Sequence, residues 1–99
     1  MLLKNRVAIV TGATQGVGRA IAEAFAKEGA IVYIIGRNMD NGLEVERAIC
    51  QTGAEAHFIK SDVSVTSAVD HVFDTVMKDQ GRIDILVNNA AISYRATLD

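Results

Sequence analysis

The sequence contains no proline, no tryptophan and a single cysteine, Cys50, among its 99 residues. One cysteine cannot close an internal disulfide, so a reducing cytoplasm is the expected setting. Because proline and low-complexity sequence are absent, nothing marks a linker, and we expect one continuous domain over residues 1–99. No apolar run approaches the ~20 residues that cross a bilayer. Residues 1–4 are too short to serve as a signal peptide, so no membrane association is expected.

The sequence also lacks an excess of basic residues and any residue pattern typical of metal ligands. The formal net charge is −2 and aromatic residues make up 5% of the chain, which argues against a nucleic-acid partner. The two histidines, His57 and His71, form no H-x-x-x-H pattern and no C-x-x-C is present, so we predict no metal site. Cys50 lacks the context of a nucleophile and is interpreted as a packing or partly exposed thiol. At 49% hydrophobic and 22% charged residues, the composition is typical of a folded domain.

Three glycines, Gly12, Gly16 and Gly18, stand between an apolar run at residues 7–10 and a helical pattern at residues 19–26. The apolar run predicts a buried strand, and the order strand, glycine turn, helix favours a phosphate-binding turn. Glycine lets the backbone turn sharply, approach a pyrophosphate closely and pack the helix on the strand. The free N–H groups and dipole of the helix N-terminus then attract an anion. Glycines at such spacing also occur in plain turns, so the motif needs support from its context.

The alternation of strand and helix patterns continues along the chain. Further strands are predicted at residues 30–35, 55–61 and 83–88, and further helices at residues 40–52 and 66–80, ended by Gly53 and Gly81. Predicted inward-facing residues are Leu43, the Arg47 stem, Ala48 and Cys50 on the second helix, and Val69, Val72, Phe73 and Val76 on the third. We therefore predict an α/β fold with a Rossmann-type doubly wound parallel sheet of order 3-2-1-4, truncated after the fourth strand. A ligand is expected at the carboxyl ends of the first and fourth strands.

The chain resembles the short-chain dehydrogenase/reductase family in four segments that follow successive predicted strands. They are TGATQGVG from Thr11, the pair Gly36-Arg37, the pair Asp62-Val63, and NNAA from Asn88. The resemblance covers essentially the whole chain, and the combination is more specific than any single motif. It implies a dinucleotide-binding domain that is the N-terminal part of a longer domain of ~250 residues.

The resemblance also implies a role for individual residues. The Val17 N–H and the Thr14 hydroxyl would hold phosphate and ribose oxygens, and Asp62 would accept a hydrogen bond from the adenine amino group. Val63 would line the adenine pocket, Asn89 would meet the nicotinamide ribose, and the Thr11 hydroxyl would tie the first strand to the segment after the fourth. The implied cofactor-binding residues are Gly12, Thr14, Gln15, Gly16, Val17, Gly18, Arg37, Asp62, Val63 and Asn89. In isolation, Asp62 could instead cap a turn, the asparagines could form loops, and Gly18 could serve helix packing alone.

The end of the second strand bears on the choice of cofactor. NAD-binding domains usually place an acid there to bind the ribose 2′-hydroxyl, but this sequence has Gly36 followed by Arg37. A guanidinium can bind a 2′-phosphate through charge-assisted hydrogen bonds, so NADP is favoured over NAD. Gln15 stands where many NADP-preferring relatives carry a basic residue, and Arg37 could also be a solvated surface charge.

The resemblance implies hydride transfer between NADP(H) and an alcohol or carbonyl substrate, yet the catalytic groups of the family are missing. Those groups are a Ser and a Tyr-x-x-x-Lys motif beyond the fourth strand, whereas Tyr94 is followed four residues later by Leu98. Ser93 and Tyr94 are interpreted as loop residues. We assign no catalytic residue and expect the 99-residue chain to be inactive alone, with a small-molecule substrate only in a full-length parent.

Other functions and partners follow from the same features. A non-catalytic nucleotide-binding or interaction module is the main alternative. A phospho-acceptor domain would need acids after the first strand, and a methyltransferase would normally carry one after the second.

The apolar edge at residues 85–87 predicts self-association, because an unpaired strand edge recruits another strand.

Overall fold

The computed structural model describes residues 1–14, 16–62 and 65–89, and within them four strands alternate with three helices. The strands are β1 (Val7–Thr11), β2 (Ile31–Gly36), β3 (Ala56–Lys60) and β4 (Ile85–Asn88). The helices are α1 (Gly16–Lys27), α2 (Met39–Cys50) and α3 (Thr66–Gln80). The sequence predictions made for Gln15, Val63, Ala90, Ala91, Ser93, Tyr94 and Leu98 lie outside the described residues.

The four strands form one parallel sheet in the order β3-β2-β1-β4. This confirms the predicted doubly wound order. All five residues of β1 are buried, since this strand has neighbours on both sides and helices on both faces. The chain reverses its winding direction after β3, so the switch point of the sheet falls between the carboxyl ends of β1 and β4.

Alternating residues of the central strands supply two separate cores. Val10, Val32 and Ile34 pack with α1 and α2 on one face. Val7, Ile9, Tyr33 and Ile35 pack with α3 on the other face, where the predicted inward residues Val72 and Val76 are 2% and 0% exposed. The helices therefore hold the sheet rigid from both sides while its carboxyl edge stays accessible.

The predicted inward face of α2 is wrong at Leu43, Arg47 and Cys50, while Ala48 is half-buried. Leu43 is 38% exposed, and Arg47 and Cys50 are exposed as well, whereas the buried residues of this helix are Gly42, Val45 and Ile49. The physical reason is the contact of Gly42 with the ring of Phe58, which leaves no room for a Cβ. The helix meets the sheet most closely at this glycine, and that contact sets its rotation.

None of the helices in the part of the chain that the structure describes has the length and apolar character to cross a membrane.

Candidate functional site

The three glycines after β1 are required for two different reasons. Gly12 and Gly16 have φ angles of 63° and 61°, in the left-handed region that L side chains rarely adopt. At Gly18 a Cβ would overlap the Gly12 carbonyl oxygen and lie 2.8 Å from Asn89 Nδ2. Two glycines therefore shape the turn, and the third lets α1 approach the end of β1.

Helix α1 begins at Gly16 rather than at residue 19, so the last part of the glycine motif is its first turn. The backbone N–H groups of a first helical turn have no partners within the helix. That turn contains no acidic residue, and Val17 is 65% exposed. The combination of exposed N–H groups, a positive helix end and a first turn without acidic residues favours an anionic ligand.

Side chains tie the carboxyl ends of β1 and β4 together. The Thr11 hydroxyl, on a residue that is 6% exposed, lies 3.1 Å from Asn88 Oδ1 and 3.4 Å from the Val87 carbonyl oxygen. Asn89 Nδ2 donates a hydrogen bond to the Gly12 carbonyl oxygen at 3.3 Å. The predicted link from Thr11 is confirmed, and both asparagines have structural partners at the switch point.

The end of β2 is fixed to both neighbouring strands. The Gly12 N–H donates to the Ile35 carbonyl oxygen at 2.9 Å, and the Gly36 carbonyl oxygen accepts from the Ser61 N–H at 2.9 Å. Arg37 follows directly, is exposed and forms no ion pair with another described residue. A cation with an unengaged guanidinium thus stands at the sheet edge next to the glycine turn.

Two further residues sit at the same edge. Asp62 follows β3, is half-buried, and its backbone carbonyl accepts from the Val65 N–H at 3.1 Å. Arg19, on α1, binds Glu44 of α2 at 3.0 Å and Glu23 at 3.3 Å, and these hydrogen bonds raise its pKa. The sequence reasoning missed this link between the helices, because no local pattern relates residues 19 and 44. Arg19 is therefore paired with carboxylates, whereas Arg37 forms no ion pair within the described part of the chain.

The structure places most of the predicted site residues along one edge. Those at or directly after the carboxyl ends of the strands are Gly12, Thr14, Gly16, Val17, Gly18, Arg37, Asp62 and Asn89, while Gln15 and Val63 lie outside the described residues. Among the residues that the structure describes, no group of three or more His, Cys, Asp or Glu side chains could hold a metal ion.

A large cavity lies elsewhere. It measures about 730 Å³ and opens at the opposite edge of the sheet, where Ala26, Gly29, Ile49 and Gly53 line it. A small cavity of about 50 Å³ beside Thr11 lies between α3 and the ends of β1 and β4. The N–H groups of the first turn of α1 and the Arg37 guanidinium are at the carboxyl edge, so the candidate site is assigned there rather than to the 730 Å³ cavity.

Comparison with known proteins agrees with this geometry. A family model described as short chain dehydrogenase matches residues 6–99. The chain is 44% identical over 88 residues to a 3beta-hydroxysteroid dehydrogenase of Mediterraneibacter gnavus, covering 89% of this chain and 32% of that protein. It is 44% identical over 87 residues to a 7alpha-hydroxysteroid dehydrogenase of Clostridium sardiniense, covering 88% and 33%. The chain thus spans about a third of the length of these two relatives.

A third relative has nearly the same length as this chain. The short-chain dehydrogenase/reductase homolog YusS of Bacillus subtilis is 36% identical over 100 residues, which cover 100% of this chain and 92% of that protein.

Solved structures give the same result. A metagenomic short-chain oxidoreductase in complex with NADP has a TM-score of 0.86 and 38% identity, covering 90% of this chain and 40% of that one. L-Sorbose reductase from Gluconobacter frateurii, complexed with NADPH and L-sorbose, has a TM-score of 0.85 and 38% identity, covering 90% and 35%.

Proposed function

Because the chain belongs to the short chain dehydrogenase family, we propose that its sheet edge binds NADP(H), as the cofactor-binding part of an oxidoreductase. The parent reaction is hydride transfer between NADP(H) and an alcohol or carbonyl compound. The observation that carries the proposal is the exposed Arg37 directly after Gly36, beside the glycine turn. Two similar solved structures, one a complex with NADP and one with NADPH, support the same cofactor.

Each residue of the edge has a physical task in this proposal. The N–H groups of Gly16, Val17 and the rest of the first turn of α1 donate hydrogen bonds to the pyrophosphate oxygens, and the dipole of the helix stabilises their charge. The Arg37 guanidinium binds the ribose 2′-phosphate through charge-assisted hydrogen bonds. Asp62 accepts from the adenine amino group, and Asn89 meets the nicotinamide ribose. When bound, the nicotinamide supplies or accepts the hydride.

Five further residues complete the proposed site. Gly12 and Gly18 bring α1 close to the end of β1, because a Cβ at Gly18 would overlap the Gly12 carbonyl oxygen. The Thr14 hydroxyl adds a ribose or phosphate contact. Gln15 and Val63 are proposed as contacts from the sequence resemblance alone.

Turnover is a separate question from binding. The sequence contains no Tyr-x-x-x-Lys, so we propose that the 99-residue chain alone binds the cofactor weakly and does not reduce substrates. A cofactor-binding module without turnover is the second candidate function, favoured by the relative of nearly equal length, of which the match covers 92%. An NADPH oxidation assay with a panel of carbonyl compounds tests this point. Robust reduction by the purified chain would contradict it.

The cofactor proposal is tested by titrating NADPH and NADH against the chain and its Arg37→Ala variant. A hydrogen bond to a charged group contributes about 1.5–3 kcal/mol, so we expect NADPH to lose roughly tenfold or more in affinity while NADH changes little. Arg47→Ala, another exposed arginine, on α2, is the matched control and is expected to change neither affinity. If Arg37→Ala leaves the ratio of the two affinities unchanged, the NADP assignment is wrong.

The proposed partners include a second copy of the chain. Strand β4 is an edge of the sheet with no strand on its outer side among the residues described, and Leu86 is 50% exposed. Such an edge favours pairing with another strand. The single cysteine supports a reducing, cytoplasmic location for the protein.

A further inference from the structure

The last residue of β2 has no space for a side chain. A Cβ built on Gly36 would lie 2.5 Å from Thr14 Cγ2, far inside the contact distance of two carbon atoms. The next nearest atoms, Thr14 Cβ and Oγ1, are each 3.7 Å away, which is ordinary contact. The methyl group of Thr14 alone therefore occupies the position that any side chain at residue 36 would need.

The backbone of Gly36 cannot move aside to relieve such an overlap. Its carbonyl oxygen accepts from the Ser61 N–H at 2.9 Å, and the preceding Ile35 carbonyl oxygen accepts from the Gly12 N–H at 2.9 Å. On the helix side, the Asn38 side chain caps α2 by accepting from the Asn41 N–H at 3.0 Å. The first two hydrogen bonds hold the end of β2 from both sides, and the Asn38 cap fixes where the following helix begins.

Thr14 is also restricted. Threonine branches at Cβ, which limits its rotamers, and the preceding Ala13 is 0% exposed. The turn that carries it contains two left-handed glycines, Gly12 and Gly16. The overlap at residue 36 is therefore relieved by removing the Thr14 methyl group rather than by moving either loop.

We propose that the contact between the Thr14 methyl group and Gly36 determines cofactor selectivity, because it keeps an acidic side chain from the end of β2. An NAD-binding domain usually presents a carboxylate there to the ribose 2′-hydroxyl. Without a side chain at residue 36, a 2′-phosphate has space beside the Arg37 guanidinium. The preference for NADP over NAD then depends on Thr14, which follows β1, and on Gly36 at the end of β2, as well as on Arg37. This inference rests on the proposed function.

The overlap between Thr14 and a side chain at residue 36 is tested without any cofactor. The test is a double-mutant cycle in which the urea midpoint of unfolding is measured for each variant. Gly36→Ala alone is expected to lower the unfolding midpoint, and Thr14→Ser alone to change it little. The double variant is expected to recover most of the loss, because serine lacks Cγ2. Gly42→Ala is the matched control: its Cβ would overlap the Phe58 ring, and Thr14→Ser should not relieve it. Additive effects of Thr14→Ser and Gly36→Ala would overturn the inference.

The selectivity part is tested by titrating NADH and NADPH against Gly36→Asp, with and without Thr14→Ser. Gly36→Asp alone is expected to weaken binding of both cofactors, and the double variant to bind NADH at least tenfold more tightly than Gly36→Asp does. Equal NADH affinity of the two variants would overturn the inference. If the unmodified chain binds neither dinucleotide, the proposed function fails instead, while the unfolding cycle still decides whether the two residues are sterically coupled.

Discussion

At the scale of single residues, Asp84 joins the first and last strands at the edge opposite the glycine turn. Its Oδ2 accepts from the Val7 N–H at 2.8 Å, and its own N–H donates to the Val7 carbonyl oxygen at 2.9 Å. Arg82 Nη2 lies 2.7 Å from Asp84 Oδ1, and Arg6 Nη1 lies 3.6 Å from the same atom. One carboxylate therefore fixes where β4 begins beside β1.

Acid should weaken this junction. The hydrogen bond from Arg82, followed by that from the Val7 N–H, lowers the pKa of Asp84 below its ordinary value of 3.8. A folded-state pKa below the unfolded one means that the stabilisation is present above about pH 4 and is lost as the pH falls through the folded pKa. We expect Asp84→Asn to lower the urea midpoint at pH 7 and to remove part of its decline towards pH 2.

Asp74→Asn, at an exposed position on α3, is the control for that comparison. It removes an equal charge without touching the β1–β4 junction. A loss in Asp84→Asn that is the same at pH 7 and pH 2 would show that the ionised carboxylate contributes nothing.

At the scale of elements, the approach of α1 to the end of β1 depends on Gly18. Alanine has a higher helix propensity than glycine by about 1 kcal/mol, so propensity alone predicts that Gly18→Ala stabilises the chain. The packing predicts the opposite, because the new Cβ would overlap the Gly12 carbonyl oxygen and crowd the Asn89 amide. We expect a loss of about 1–3 kcal/mol in the free energy of unfolding, together with weaker NADPH binding.

Whether Gly18→Ala raises or lowers the free energy of unfolding distinguishes the effect of helix propensity from that of packing. Chemical denaturation of Gly18→Ala measures this free energy. The control Ala20→Ser, at an exposed position of the same helix, should stay within about 0.5 kcal/mol of the unsubstituted chain. A more stable Gly18→Ala variant with unchanged cofactor binding would mean that α1 can shift without cost.

The sequence predicts the elements better than it predicts how one of them is rotated. β1, β2 and β4 are short, strongly apolar runs, whereas β3 also contains His57 and Lys60. Strand-helix alternation restricts the sheet to very few orders. The inward face of α2 was missed because hydropathy gives weight to Leu43 and none to a glycine. The contact of Gly42 with Phe58 depends on shape, and these two residues are far apart in the sequence.

Some features of the candidate site could be predicted from the sequence, and one could not. Residues that follow strands were predicted correctly to share one edge, because parallel strands have their carboxyl ends together. Thr11 was also paired correctly with Asn88. The contact between Thr14 and Gly36 could not be predicted, since it depends on the position of one methyl group relative to a neighbouring loop.

At the scale of the whole molecule, the two edges of the sheet differ. On β3, the outward-facing Phe58 N–H donates to Glu46 Oε2 at 2.5 Å, and Cys50 Sγ lies 3.5 Å from the Ala56 carbonyl oxygen. Glu46 and Cys50 are four residues apart on α2 and so lie on one side of it. Their side chains occupy backbone groups that another strand would need, which disfavours pairing at this edge.

The β4 edge lacks such protection within the described residues, so self-association should run through it. We expect light scattering of the concentrated chain to show species larger than a monomer, and Leu86→Lys to shift them towards the monomer, because a lysine on an edge strand resists pairing. Met77→Lys is the control: Met77 is 48% exposed, close to the 50% of Leu86, but lies on α3. If the unsubstituted chain is monomeric at high concentration, or if the two lysine variants are monomeric to the same extent, association does not depend on β4. Because β4 is the open edge among residues 1–14, 16–62 and 65–89, the expected product is a closed pair with β4 against β4. In such a pair, two four-stranded sheets join and the protected β3 edges do not recruit further copies.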